Sequence, residues 1–251
     1  MSGHSKWSTI KRKKGAADAK RGQLFTRLGR EITIAAREGG GDPEANFRLR
    51  LAVDKARAAN MPKENIERAI ARGVGGSKES AALESVIYEG YGPGGTAILV
   101  EVLTDNRNRA VAEVRRVFTR NGGNLGETGC VGWMFERKGM LTIDATGQDA
   151  EAIALAAIDA GAEDVKMDGD IVEVYATVED FQAVRERLMA ERFKIEDAEL
   201  SWVPKTLFQP DHKVTLQNMR LIEALEELED VQSVHSNLDI SEAALAEFEA
   251  A

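Results

Sequence analysis

Lys11-Arg12-Lys13-Lys14 is the densest chemical signal in this chain, four consecutive cations with Lys6 before them and Lys20 and Arg21 after. Side chains of this type at this spacing neutralise a polyanion. On a phosphate backbone they displace condensed counterions, so affinity falls as salt rises. His4 and Trp7 stand in the same arm, where they can hydrogen-bond to bases or stack on them. Trp7 has an equally good second use, as an anchor of the arm on the helices that follow. The charge continues beyond the arm. At about 100° per residue, Lys20, Arg27, Arg30 and Arg37 share one helix face. Arg48, Arg50, Lys55 and Arg57, then Lys63, Arg68 and Arg72, continue it on two further helices.

The balance of charge is lopsided. Residues 1–72 hold 17 Lys and Arg against 8 Asp and Glu, whereas residues 73–251 hold 16 against 34. A formal net charge of −9 therefore conceals a basic head on an acidic body. Overall acidity argues against nucleic acid, but binding is decided by the local field, and the head's field favours phosphate.

Other constellations carry less. Arg107, Arg109, Arg115, Arg116 and Arg120 form a second basic group, with Arg109, Arg116 and Arg120 near one helix face. They either extend the binding surface or pair with neighbouring glutamates. Gly90-Tyr91-Gly92-Pro93-Gly94-Gly95 has the letters of a dinucleotide fingerprint. A strand follows it rather than a helix, and Pro93 removes an amide, so a hairpin turn with positive φ is expected. Gly122-Gly123-Asn124-Leu125-Gly126 holds no base or nucleophile and reads as a turn, with an anion contact by its amides as the alternative. Glu223, Glu226, Glu227, Glu229 and Asp230 read as a solvated face, or as a surface for a basic protein.

His4, His212 and His235 are scattered and Cys130 is alone, so neither a disulfide nor a metal site is expected. No Ser/His/Asp, Cys/His or paired-carboxylate arrangement emerges. An enzyme, a cofactor and a small-molecule substrate are therefore not expected. Apolar runs such as Ile98-Leu99-Val100 are far too short for a bilayer, and the start lacks a signal-peptide pattern, which points to the cytoplasm.

The elements that must position these groups can be read in outline. Residues 1–14 form a polar arm. Helices are expected over 16–38, where Leu24, Leu28, Ile32 and Ala35 make an apolar stripe, from Asp42-Pro43 to about residue 60, and from Pro62 to a left-handed cap at Gly73. A linker over 74–82 leads to strands at 83–89 and 96–104, a helix over 106–120 and a strand over 130–135. Residues 138–204 then read βαββαβ, the split ferredoxin-like motif. An acidic helix over 211–229 and a strand near 231–237 are left over, and they complete the earlier strands. The class is α+β in three domains: a basic helical domain over 1–78, a discontinuous α/β domain over 79–136 plus 205–251, and a ferredoxin-like domain over 137–204.

Several ordered motifs resemble one family. Gly3-His4-Ser5-Lys6-Trp7, Asp18-Ala19-Lys20-Arg21-Gly22, Gly39-Gly40-Gly41-Asp42-Pro43 and Asn60-Met61-Pro62 lie in the head. Tyr88-Glu89-Gly90-Tyr91-Gly92-Pro93-Gly94-Gly95, Asp105-Asn106-Arg107-Asn108-Arg109 and Gly122-Gly123-Asn124-Leu125-Gly126 follow. Together they resemble the YebC/PmpR family, related to a mitochondrial translational activator of cytochrome oxidase, over essentially the whole chain. His235 departs from the Tyr that the resemblance leads one to expect. The resemblance implies a helical domain and two α/β domains, the middle one interrupted by the third, and a non-enzymatic role. It implies either a DNA-binding transcriptional regulator or a translation factor that acts on ribosomal or transfer RNA with the ribosome and relieves stalling at consecutive prolines. A scaffold using the acidic helix is a third reading.

Overall fold

The structure, a computed structural model, describes residue 7 and residues 18–75 and 83–250, with the side chains of 18–20 excepted. The head is a bundle of α1 (Asp18–Gly39), α2 (Phe47–Ala58) and α3 (Lys63–Val74). Leu28, Ile32, Ala35, Leu49, Val53 and Ile66 fill its core. Leu24, expected in the stripe, is exposed.

Two helix ends differ from the sequence expectation. Helix α2 starts after Asn46, not at Pro43. The Asn46 side chain accepts from the Leu49 amide (3.1 Å), and its amide group donates to the carbonyls of Ala35 and Gly40, both at 2.8 Å. It thus caps one helix while tying down the end of the previous one. Gly73 is not a left-handed cap but a buried residue within α3. A Cβ there would lie 2.5 Å from the Thr33 carbonyl, so glycine is what lets α3 approach α1.

The body holds two antiparallel sheets. The first takes β1 (Glu84–Tyr91), β2 (Ala97–Thr104), β3 (Asn124–Leu125) and β8 (Val231–Ser236) in the order β3-β1-β2-β8. The hairpin β1–β2 turns through Gly94 and Gly95, at φ +72° and +91°, as its glycine-rich sequence requires. Helices α4 (Arg107–Arg120) and α7 (His212–Glu226) cover this sheet, joined by α8 (Glu242–Ala250), which the sequence reading did not anticipate.

The second sheet takes β4 (Phe135–Asp144), β5 (Asp164–Asp168), β6 (Ile171–Ala176) and β7 (Ile195–Pro204) in the order β5-β6-β4-β7. With α5 (Ala150–Asp159) and α6 (Phe181–Ala190) this is the ferredoxin-like order. After β7 the chain returns to the first sheet, where β8 pairs with β2.

Residues 130–134 are not the expected strand. The Glu89 carboxylate accepts from the amides of Gly129 (2.7 Å), Val131 (2.8 Å) and Gly132 (2.6 Å), which curls the segment into a loop before β4 begins. Burial alone would raise the Glu89 pKa, but these three donors outweigh it and hold the carboxyl below its ordinary value.

Candidate nucleic-acid interface

Of the expected phosphate contacts, His4, Lys6, Lys11, Arg12, Lys13 and Lys14 lie outside the described residues. Lys20 lies in the first turn of α1. Trp7 is 7% exposed, with its ring 5.5 Å from that of Phe248 on α8. Base stacking by Trp7 is therefore corrected: the indole packs in the core of the first sheet's domain. It is an anchor, but on the body rather than on the helical unit.

Arg27 and Arg30 are corrected as well. Both point from α1 into the body. Arg27 donates to the main-chain carbonyls of Glu226 and, at 3.3 Å, Leu228. Arg30 donates to Asp230 at 2.8 Å and Glu229 at 3.0 Å. Asp230 is buried and also takes Arg109 (2.7 Å) and the Thr104 hydroxyl (2.8 Å). The acidic segment is thus not simply a solvated face, because part of it receives the chain's own head. Burial pushes the Asp230 carboxyl up, but the Arg109 and Thr104 hydrogen bonds and the nearby Arg30 charge bring it below its ordinary value.

The cations of α2 are also spent internally. Lys55 pairs with Glu199 on β7 (2.8 Å), and Arg50 faces Glu186 on α6 at 3.7 Å. Arg185 of α6 reaches back to Asp54 of α2 at 2.7 Å. Phe47 meets Phe181 edge-on with ring centroids 5.9 Å apart. Part of the charge asymmetry therefore clamps the head onto the body through two seams, one at α7 and one at β7 and α6.

A cavity of about 120 Å³ lies where these seams meet, lined by Glu31, Lys55, Glu101, Arg137, Glu199 and His235 among others. The Glu199 carboxylate drives the Lys55 pKa far up, so this lysine is a fixed cation and not a base. Glu101 accepts from the Trp202 indole (3.1 Å), the Ser233 hydroxyl (2.6 Å) and His235 Nε2 (3.1 Å). Burial opposes ionisation of Glu101, yet the His235 and Ser233 contacts and Arg137 hold its pKa at about 2. Among the described residues no metal-binding group of His, Cys, Asp and Glu assembles, and no helix is long and apolar enough to cross a membrane.

What stays open to a ligand is more restricted than the sequence suggested. Arg68 and Arg72 on α3 are exposed and make no ion pair among the described residues. With Phe25, Thr26, Asn65 and Met61 they line a groove of about 470 Å³ between α1 and α3. Arg21 is exposed over the Phe25 ring, and Arg37 is exposed in the last turn of α1. The second basic group divides in two. Arg107 and Arg109 are engaged by Glu84, Asp105 and Asp230. Arg115, Arg116 and Arg120 are exposed, with no acidic partner among the described residues. Reasoning along the sequence passed over Arg220 on α7, which is in the same state. Arg220 and Lys213, seven residues apart among acidic and apolar neighbours, do not form the dense run that marked the other basic groups.

Fold and surface together define a class: a three-domain α+β protein whose basic helical head is clamped to an acidic body and keeps a subset of its cations free. The chain belongs to the TACO1/YebC family. The description "TACO1/YebC protein N-terminal domain" matches residues 5–76, and "TACO1/YebC second and third domain" matches residues 83–238. A "Probable transcriptional regulatory protein" of Chloroflexus aurantiacus is 58% identical over 253 residues, covering 100% of both chains. One of the same description from Roseiflexus castenholzii is 58% identical over 245 residues, 96% of each. The crystal structure of a conserved hypothetical protein from Aquifex aeolicus superposes with a TM-score of 0.83 at 47% identity, over 90% of this chain and 93% of that one.

Proposed function

We propose that this protein is a non-enzymatic regulator of gene expression that acts in the cytoplasm and binds nucleic acid through its basic head. The observation that carries this reading is the excess of cations over residues 1–72 that remains after the two seams are satisfied. Arg21, Arg68 and Arg72 keep exposed guanidiniums, the same stretch of sequence adds Lys6 and Lys11 to Lys14, and such groups bind phosphates. Transcriptional control on DNA is the form that the relatives' description supports. A translation factor acting on RNA at the ribosome is the second reading. It is favoured by the separation of the free arginines into patches on two domains, which suits an irregular RNA better than a straight duplex.

Both forms make one quantitative prediction. Fluorescence anisotropy with a labelled oligonucleotide gives an affinity that falls steeply with salt. Replacing Lys11, Arg12, Lys13 and Lys14 together by Gln lowers the slope of log K against log salt by about 3. Salt-insensitive binding that survives this change contradicts the reading. The two forms separate by probe, since a regulator of transcription prefers duplex DNA and a translation factor prefers structured RNA.

A further inference from the structure

The groove between α1 and α3 has a lining that the packing of the head does not require. Its volume of about 470 Å³ lies within the range of pockets that hold small organic ligands. Among the described residues, none that lines it is acidic, in a chain where 42 Asp and Glu outnumber 33 Lys and Arg. Three of its lining residues are arginines. Arg30 is committed to Asp230 and Glu229 across the seam. Arg68 and Arg72 are exposed and meet no acid among the described residues. They stand four residues apart on α3, about 6 Å along its axis, so both forks can close on one phosphate. Arg21 brings a further cation to the Phe25 ring, 5.4 Å from its centroid.

The rest of the lining suits something other than a phosphate. Phe25, Met61 and Ala69 supply apolar surface. The Asn65 side-chain amide has no hydrogen-bond partner among the described residues. The Thr26 hydroxyl donates to the Gly22 carbonyl at 3.1 Å and keeps its lone pairs for a second partner. Gly29 lines the groove as well, in the middle of α1, where glycine destabilises a helix relative to alanine. At Gly73 a close approach of main chain explains the missing side chain, but a Cβ at Gly29 meets nothing within 4 Å. What glycine leaves there is open space in the groove.

We propose that this groove holds one unpaired nucleotide of a bound strand, with its phosphate at Arg68 and Arg72 and its base against the apolar wall of Phe25 and Met61. The inference rests on the nucleic-acid reading given above and adds a position and a strand preference to it. A bare phosphate leaves the apolar wall uncovered, and a purely apolar ligand leaves two guanidiniums unanswered. A nucleotide answers both. A base in a duplex has to be unpaired and unstacked before it can enter such a groove, whereas a base in a single strand does not.

The test uses the full chain with methionine methyl groups labelled for NMR, so that Met61, which lines the groove, reports on its occupancy. The probes are AMP, a phosphoserine peptide, a fluorescent single-stranded oligonucleotide and its duplex. AMP and the single strand are expected to shift the Met61 methyl signal. Arg68→Gln with Arg72→Gln is expected to weaken both by about tenfold or more, the size of losing hydrogen bonds to a charged group. Gly29→Leu fills the open space without a clash at Cβ and is expected to melt no lower than the native chain. It is expected to abolish the Met61 response to AMP and to weaken the single strand about tenfold, with duplex affinity little changed. A silent Met61 signal and unchanged strand affinity in both variants, with binding still lost on neutralising Lys11 to Lys14, overturns this inference and leaves the head reading intact. AMP binding that Gly29→Leu removes, with the strand indifferent to that change, overturns it in favour of a free nucleotide. A Met61 response to the phosphoserine peptide alone overturns it in favour of a protein partner. Failure of every oligonucleotide to bind overturns both readings.

Discussion

Replacing Asp230 by Ala is expected to lower the unfolding free energy by about 3 kcal/mol, the size typical of leaving a desolvated charge without its partner. The carboxylate is buried and serves Arg30 from the head, Arg109 from α4 and the Thr104 hydroxyl at the end of β2. Its removal takes from Arg30, itself largely buried in the seam, the buried one of its two carboxylate partners and leaves only the exposed Glu229. The loss is expected to appear in urea melts, together with faster proteolysis between head and body. The sign of the pH dependence follows from the same geometry. The folded carboxyl titrates below its unfolded value of about 3.9, so its contribution is fully present above that pH and is lost as pH falls through the folded value. In Asp230→Asn this acid-sensitive contribution is expected to be missing. An Asp230→Ala protein as stable as the parent shows that the seam does not depend on this group.

Gly139→Val is expected to cost about 3 kcal/mol, at the upper end of overpacking in a core. Gly139 lies on β4 between Ala176 of β6 and Leu200 of β7, in the middle of the second sheet. A Cβ there overlaps the fully buried Phe181 ring at the start of α6. The ring cannot move freely, because Phe47 of the head meets it edge-on within the same core. The damage is therefore expected to reach the second seam as well as the third domain's core. Phe181→Leu in the Gly139→Val background is expected to recover part of the loss, a non-additivity that chemical denaturation reads directly. Additive losses argue that the two residues do not meet.

The class of the fold was legible because local signals agreed. Glycines stood where positive φ was needed at 94 and 95, and the βαββαβ order of residues 138–204 left few ways to close a sheet. Positions that depend on distant partners were not legible. Periodicity placed Arg27 and Arg30 together on one helix face, but it could not say that Glu226 to Asp230, some 200 residues later, would cover that face. The acidic run facing a basic helix was the available signal, and it was read as solvated. Gly73 looked like a helix stop from its place near the end of a periodic run, whereas its actual use is a close approach to Thr33. Residues 130–135 had the composition of a strand, and the single carboxylate of Glu89 explains why 130–134 curl and the strand begins only at Phe135. Trp7 shows the same limit: two uses fitted its sequence context, and its contact with Phe248 on an unanticipated helix decided between them.

The most direct test of the central claim is ultraviolet crosslinking in cells, comparing the native chain with one neutralised at Lys11 to Lys14. Sequencing identifies whatever nucleic acid is attached. The account predicts discrete nucleic acid on the native chain and about tenfold less or lower on the variant, as expected when four phosphate contacts are removed. Equal recovery from both, or none from the native chain, contradicts a nucleic-acid-binding head.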